Sequence, residues 1–207
     1  MLTKQQVRIL GVFRVGLFDR LTFRQVKERS GQKSNNSVQI ALKAFQKEGI
    51  LGVQRVGNIA TYALNLNSNL AKSYMALIND LEMQDGKKLP KRILGDIQNR
   101  IFRSTEFFIL LVFGSYAKNK VTEKSDLDIA LIVESEQSKK EVAPFLETIK
   151  RREVMNIDYH VFTRNEFLEM LGSPEENLGK EIYRNSIVCY GTALYYGLIA
   201  KKHELDN

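Results

Sequence analysis

Four residues have the types and the spacing that chemistry on phosphates requires. Gly114 and Ser115 follow an apolar run, and ten residues separate them from Asp126 and Asp128 at a second apolar run. A glycine lets the backbone approach phosphate oxygens closely, and a serine adds a hydroxyl and a main-chain N–H. Two carboxylates spaced two apart in a strand point to one face, where they can hold a pair of divalent metal ions. The pattern predicts a phosphate cradle that faces a metal site.

A third carboxylate is expected to complete this site. Asp158 lies in the middle of a strand-like segment, where a charge is costly unless it meets a cation. Glu134 and Glu153 are less suited, because they lie at the ends of predicted elements, where water solvates a carboxylate easily. Hard carboxylate oxygens without cysteine or histidine clusters favour Mg²⁺ (or Mn²⁺) over zinc.

The elements that must position these side chains alternate between strands and helices. This alternation predicts an α/β (α+β) fold in which a mixed β-sheet is flanked by helices. The predicted strands span residues 107–113, 127–133, 154–162 and 187–190, and the predicted helices between and after them include 138–152, a short helix capped by Thr163, and 192–202.

The first 66 residues have a different organisation. Three helical patterns are followed by two short strand-like runs joined through Gly57-Asn58, which is a hairpin signal. This order resembles a winged helix-turn-helix domain. The three helices are predicted over residues 3–18, 23–29 and 34–48, and the two strands over residues 50–53 and 60–64.

The charge of the chain is concentrated in the same segment. Residues 1–67 hold eleven Lys/Arg and three Asp/Glu, a net charge of +8, whereas the remaining residues carry −1. Such an asymmetry indicates a polyanionic partner for the N-terminal part alone, and in a winged helix the third helix enters the major groove of DNA. A solvated polar face used for protein contact is the alternative. The expected DNA-binding residues are Lys33, Asn35, Asn36, Gln39, Lys43 and Arg55.

Residues 67–89 are predicted to form a connector that separates an N-terminal domain (1–66) from a C-terminal domain (90–207). The connector helix carries an apolar stripe, which is expected to pack between the domains or against a second copy of the chain in a homodimer. The stripe consists of Leu70, Tyr74, Leu77, Ile78 and Leu81.

Taken together, Gly114-Ser115, Asp126-x-Asp128 and Asp158 resemble the DNA polymerase β-type nucleotidyltransferase superfamily, and especially its minimal members. The resemblance covers about residues 90–170. It implies that the three aspartates are metal ligands, with Asp158 as third ligand or base, and that Gly114 and Ser115 clamp the triphosphate. Family members usually carry a second glycine where this chain has Asn119. Asparagine tolerates left-handed backbone, so we expect the turn to survive.

The resemblance implies transfer of a nucleoside monophosphate from an NTP, expected to be ATP, to an acceptor hydroxyl, with release of pyrophosphate. Only about 40 residues lie beyond the core, and they do not form a large extra domain that could hold a nucleic-acid primer or an antibiotic. We therefore expect the acceptor to be another protein that presents its own hydroxyl. Minimal members that act as antitoxins and adenylylate a partner toxin resemble this design, and a DNA-binding domain would suit control of an operon. Two alternatives remain: a transcription regulator whose nucleotidyltransferase-like domain only senses nucleotide, and an enzyme that modifies small molecules.

Location is predicted from cysteine usage and hydropathy. The single cysteine, Cys189, cannot form an internal disulfide, which suits a reducing compartment. No apolar stretch approaches the roughly 20 residues of a membrane span, and the first ten residues lack a signal-peptide pattern. We therefore expect a cytoplasmic protein without membrane contact.

Overall fold

A computed structural model describes residues 2–14, 16–84 and 89–205. The chain divides into two compact units, Met1–Ile78 and Asn79–Asn207. Helix α4 (Asn69–Gln84) begins in the first unit and ends in the second. The expected connector includes residues 85–88, which lie outside the described residues. Within the described ranges, no helix combines the length and the apolar character that crossing a membrane requires.

The first unit contains three helices and a small antiparallel sheet in which the strand order is β1-β3-β2. The predicted helix over residues 3–18 is wrong, because the α-helix ends at Leu10 and gives way to a 3₁₀ turn. Gly16 has a φ of 74°, which an α-helix cannot contain. The elements are α1 (Lys4–Leu10), the turn (Gly11–Phe13), β1 (Leu21–Thr22), α2 (Phe23–Ser30), α3 (Asn35–Lys47), β2 (Leu51–Val56) and β3 (Ile59–Leu64).

Local capping explains where these elements begin and turn. The side chain of Thr22 closes a capping box on α2, and Ser34 Oγ accepts a hydrogen bond from the Ser37 N–H at the start of α3. The predicted hairpin is present, with Val56 opposite Ile59 and the turn between them. The order of elements agrees with the prediction, and the winged-helix identity remains a prediction.

The second unit is built around a four-stranded mixed sheet with the order β6-β5-β4-β7. Strand β4 is antiparallel to β5 and β7, whereas β5 and β6 are parallel. The expected mixed sheet flanked by helices is confirmed. Its elements are α5 (Lys91–Ile101), β4 (Phe108–Val112), α6 (Gly114–Ala117), β5 (Leu127–Val133), α7 (Glu136–Arg152), β6 (Ile157–Thr163), α8 (Arg164–Gly172), α9 (Leu178–Arg184), β7 (Ile187–Tyr190) and α10 (Thr192–Leu205).

The two central strands are buried on both faces. On one face, alternate residues of β4 and β5 pack in a single cluster with α5 and α7. On the other face, Ile109, Ala130 and Ile132 are buried, and α8 and α10 contact the sheet. Burial on both faces explains why these strands read as continuous apolar runs. The cluster on the first face consists of Ile93, Leu94, Ile97, Ile101, Phe108, Leu110, Val112, Leu127, Ile129, Leu131, Val133, Val142, Leu146 and Ile149, with neighbours from adjoining segments.

Candidate functional site

The register of the parallel pair β5/β6 brings two predicted carboxylates together. Asp128 on β5 and Asp158 on β6 are paired positions, so their side chains leave the sheet on the same face. Asp128 is half-buried and Asp158 is exposed. A half-buried and an exposed carboxylate therefore lie side by side at one end of the sheet.

The third predicted carboxylate lies just outside the strand. The expectation that Asp126 and Asp128 share a strand is wrong, because β5 begins at Leu127. A closed turn precedes it, in which the Thr122 N–H donates to Ser125 Oγ (2.9 Å) and the Ser125 N–H donates to the Thr122 carbonyl (3.1 Å). Asp126 follows this turn and precedes the first residue of β5 that pairs with a neighbouring strand, and its carboxylate is exposed.

The turn after β4 lies directly against Asp128. Gly114 has a φ of 63°, and a Cβ at this position would lie 1.8 Å from Asp128 Oδ2. The Phe113 N–H donates to the Asp128 main-chain carbonyl (3.1 Å), and the Ser115 N–H donates to the Asp128 carboxylate. Glycine is therefore required at position 114 for two reasons, its left-handed backbone and the absence of a side chain.

Negative charge accumulates around Asp128. Burial raises the pKa of the Asp128 carboxyl above its usual value, and the charges of Asp158, Asp126 and Glu181 raise that pKa further. The hydrogen bond from the Ser115 N–H partly offsets this rise. The ionised carboxylate is thus held in surroundings that disfavour its charge, and a bound cation would relieve that cost.

Ser115 carries a polar atom without a partner. Its Oγ is buried, and among the described residues it has no hydrogen-bond partner. A buried hydroxyl that is not hydrogen-bonded costs free energy, so such an atom commonly receives water or a ligand. Beside the tight Gly114 turn, this hydroxyl fits a phosphate oxygen.

Two further residues belong to the same surroundings and were not among the predicted site residues. Glu181 on α9 pairs with Lys118, at 3.1 Å between Lys118 Nζ and Glu181 Oε1, and its charge reaches Asp128. His160 Nε2 lies 3.4 Å from Asp158 Oδ2, and the His160 ring stacks on Phe162. No local pattern could have revealed Glu181, because α9 is distant from the aspartates in sequence and only the fold brings it near.

The turn that follows the cradle tolerates its asparagine as expected. Asn119 has a φ of 54°, and among the described residues it is the only non-glycine residue with a positive φ. Its N–H donates to the Tyr116 carbonyl (3.3 Å). The left-handed position predicted from the family pattern is confirmed.

The donor set suits a hard divalent cation that is shared with a substrate. Among the described residues, no group of three or more His, Cys, Asp or Glu side chains is arranged to hold a metal ion. Mg²⁺ in phosphoryl-transfer sites is commonly held by one or two carboxylates together with the phosphates of the substrate. The mutual repulsion around Asp128 and the all-oxygen donors fit this mode, in which Asp126, Asp128 and Asp158 are the available ligands.

The predicted DNA-binding residues all lie on the surface of the first unit. Asn36, Gln39 and Lys43 share one face of α3, opposite its buried face. Ile40 lies on the same polar face with 54% of its surface exposed, and the sequence reasoning missed it. The six predicted residues are all exposed, and they are Lys33, Asn35, Asn36, Gln39, Lys43 and Arg55.

Within the described residues, the predicted DNA-binding cations have no acidic partners. Lys33, Lys43 and Arg55 form no salt bridge within the described residues. Two other basic side chains of this unit do form salt bridges. Arg24 pairs with Glu28 at 2.7 Å, and Arg29 approaches Asp19 at 3.9 Å. Two of the few acids in this unit are thus engaged on α2 and near it, away from the polar face of α3.

Comparison with known proteins bears on the second unit. Residues 96–193 match the family model described as polymerase beta, nucleotidyltransferase. The matched segment includes all four strands of the mixed sheet and the three aspartates. It supports the predicted resemblance of the C-terminal unit to the DNA polymerase β-type nucleotidyltransferase superfamily. No curated protein and no solved structure matches the chain.

Proposed function

We propose that the second unit transfers a nucleoside monophosphate from an NTP, with ATP as the donor, to an acceptor hydroxyl. The observation that carries this proposal is the pairing of Asp128 with Asp158 beside the Gly114 turn. The family match at residues 96–193 supports nucleotidyl transfer in general. The choice of nucleotide, metal and acceptor belongs to the proposal.

The cradle residues would bind the triphosphate. Gly114 leaves room for phosphate oxygens at the turn, and Ser115 Oγ would donate the hydrogen bond for which the described residues offer it no acceptor. Asp126 and Asp128, with Asp158, would hold Mg²⁺ (or Mn²⁺). When bound, the cation supplies charge neutralisation at the reacting phosphate and the leaving pyrophosphate.

Asp158 would receive the proton of the attacking hydroxyl. Its carboxylate is exposed and belongs to β6, the edge strand of the sheet, with His160 close enough to orient it. An exposed base on an edge strand is accessible to a bulky acceptor. We therefore propose a serine, threonine or tyrosine hydroxyl of a partner protein as the acceptor, as in a toxin-antitoxin pair.

The first unit would bind DNA as a winged helix. The amide side chains of α3 and its cations, which form no salt bridge within the described residues, suit base edges and phosphates, and Arg55 on the hairpin suits the backbone. Exposed Ile40 could contact a thymine methyl group. This unit would give the transferase a regulatory role at DNA, and the single cysteine supports a cytoplasmic location.

A second candidate is a transcription regulator whose C-terminal unit senses nucleotide without consuming it. The salt bridge between Lys118 and Glu181 favours this reading, because the first lysine after the Gly114 turn in sequence is paired with an acid. Under this reading, an NTP would change DNA affinity and remain intact. Under the first proposal, the NTP would be converted to pyrophosphate and a modified acceptor.

The test is nucleotide transfer in extract of the source cell. The chain is incubated with Mg²⁺ and α-³²P-labelled ATP, CTP, GTP or UTP, and labelled products are separated. Wild type should label a discrete acceptor, and Asp128→Asn should not. Glu123→Gln is a matched control, because it removes a negative charge from the exposed loop that precedes Asp126. Equal labelling by wild type and Asp128→Asn would overturn the site assignment.

A further inference from the structure

The second unit contains a cavity on the face of the sheet that α10 contacts. Its volume is about 270 Å³, close to the lower end of the range for small-molecule sites, about 300–1,000 Å³. The lining comes from the beginning of β4, the end of β5, the first residue of α8 and one side of α10. All of these segments belong to the second unit. The cavity is large enough for a small organic molecule.

Helix α10 forms one wall of this cavity. Leu194, Gly197 and Lys201 follow one another at intervals of three and four residues, so they lie on one side of the helix. A Cβ added to Gly197 would meet no atom within 4 Å. Glycine is unfavourable inside a helix relative to alanine, and here no neighbouring atom excludes a larger residue. The absence of a side chain at this position leaves space in the wall.

The opposite wall is apolar. Ile109 and Ile132 lie on the sheet face that α8 and α10 contact, and both are buried. Phe107 precedes β4 and lines the cavity, although 63% of its surface is exposed. Leu194 on the helix is likewise exposed, at 43%. Contact with a ligand would remove these two side chains from water, which is favourable for apolar surface. The walls therefore suit a ligand with an apolar body.

The charged residues of the lining favour an anionic group on that ligand. They are two bases, Arg164 and Lys201, and one acid, Glu134, with a net charge of +1. Arg164 Nη1 lies 3.8 Å from Glu134 Oε1, which is beyond hydrogen-bond distance, and both side chains are exposed to solvent. Lys201 forms no salt bridge within the part of the chain that the structure describes. Both cations can therefore donate hydrogen bonds to a carboxylate.

The cavity is separate from the carboxylate site. Strand β4 runs from the cavity towards the Gly114 turn, and β5 runs from Asp128 towards the cavity. Asp128 and Ile132 are four residues apart on β5, a distance of about 13 Å along a strand. The two sites share no lining residue, so a ligand in the cavity would not occupy the phosphate cradle.

We propose that this cavity binds a small organic anion. Its apolar body lies between Phe107 and Leu194, in the space that Gly197 leaves open, and its anionic group meets Arg164 and Lys201. A helix with its side chains is about 10–12 Å across, which is wider than a cavity of this volume. The occupant is therefore a small molecule. Its binding does not depend on the proposed transfer reaction.

Isothermal titration calorimetry of the full chain with 2-naphthoate tests the cavity. Wild type should bind one molecule per chain, and Gly197→Leu should weaken binding at least about tenfold because the added side chain occupies the space of the ligand. Gly95→Leu on α5 is the matched control, since an added Cβ there also meets no atom within 4 Å and Gly95 does not line the cavity. Absence of binding to wild type, or equal affinities of the two leucine variants, would overturn the proposal.

The uncharged analogue 2-naphthamide tests the role of charge. Wild type should bind 2-naphthoate about tenfold more tightly than the amide, because a hydrogen bond to a charged group contributes that much. Arg164→Gln combined with Lys201→Gln should remove this preference. Lys140→Gln combined with Lys150→Gln removes two exposed lysines from α7 and should preserve it. A preference that both double variants retain would overturn the assignment of the anionic group.

Two further measurements distinguish the cavity from other places of binding. ATP with Mg²⁺ should not displace 2-naphthoate, and displacement would place the compound at the phosphate cradle and contradict a separate site. Sedimentation equilibrium examines a second copy as the occupant. A wild-type dimer that Gly197→Leu dissociates, without binding of 2-naphthoate, would assign the cavity to that copy and overturn the proposal. Circular dichroism checks that each variant folds.

Discussion

The two units place their candidate functional residues in opposite ways. In the second unit, Asp128, Asp158 and Gly114 come from three separate segments and meet at a half-buried position, where each alters the surroundings of the others. In the first unit, the polar residues of α3 are neighbours on one exposed helix, and its cations are unpaired within the described residues. We infer that the carboxylate site acts as a unit that single changes destroy, whereas the α3 surface acts through separate, additive contacts.

The largest expected effect follows from Asp128→Asn. Loss of the central carboxylate should reduce nucleotide transfer by about 10²–10³-fold or more, the range found when one preorganised charge-stabilising group is removed from an active site. Rates with labelled nucleotide measure this change. DNA affinity of the same variant should be unchanged.

The same variant should not lose stability. The pKa of Asp128 is higher in the folded state than in the unfolded state. The contribution of this group to folding stability is therefore complete below its unfolded pKa and is lost as the pH rises through its folded pKa. At neutral pH the ionised side chain therefore opposes folding, and Asn should leave the melting temperature equal or higher. Thermal unfolding at pH 7 measures this, and a lower melting temperature would contradict the proposed strain at the site.

Gly114→Ala should combine a loss of transfer with a loss of stability. A Cβ at this position would collide with Asp128 Oδ2, and the left-handed backbone adds about 1–2 kcal/mol for a residue with a side chain. Gly31→Ala is the matched control, since Gly31 has the same φ of 63° and an added Cβ there meets no atom within 4 Å. Both variants should be destabilised in denaturant unfolding. Only Gly114→Ala should lose most of its transfer activity, and equal activities would contradict the close contact.

Lys43→Ala should produce a moderate and separable effect. Removal of one phosphate contact should weaken DNA binding uniformly across sequences and reduce the slope of log affinity against log salt by about 1. Fluorescence anisotropy at several salt concentrations measures both quantities. Lys140→Ala on α7 removes a lysine of the other unit that is also exposed, and it should leave the slope unchanged. Transfer activity should be the same in both variants.

The smallest expected effects lie at Asn119. Asn119→Gly should change the free energy of unfolding by less than about 1 kcal/mol, because glycine and asparagine both tolerate a φ of 54°. Asn119→Val should cost about 1–2 kcal/mol, because a β-branched residue is strained in left-handed backbone. Urea denaturation distinguishes the two. Equal stabilities of the two variants would show that this turn relaxes.

Local signals explain how much of this fold could be predicted from sequence. The predicted cap at Thr163 is present, and Ser34 caps the helix predicted to begin there, because a cap depends only on residues a few positions apart. The central strands could be predicted in the same way, because a continuous apolar run is also a local signal. Val154 shows the limit: it was placed in a strand by its type, yet it is fully exposed and β6 begins at Ile157.

Non-local pairing explains what sequence could not provide for the site. The types and spacing of Gly114, Ser115 and the aspartates were informative, whereas the pairing of Asp128 with Asp158 depends on a parallel register. The approach of Glu181 depends on the packing of α9. Ile40 was missed for another reason, because an apolar residue in a helix is ordinarily assigned to its buried face.

The central claim is that the second unit transfers the nucleotide and not another part of the NTP. The most direct measurement compares ATP labelled with ³²P at the α-phosphate with ATP labelled at the γ-phosphate, under the same conditions and with the same acceptor extract. We predict that label from the α position appears on the acceptor, whereas label from the γ position leaves as pyrophosphate. Transfer of γ label, or recovery of both nucleotides intact, would contradict it.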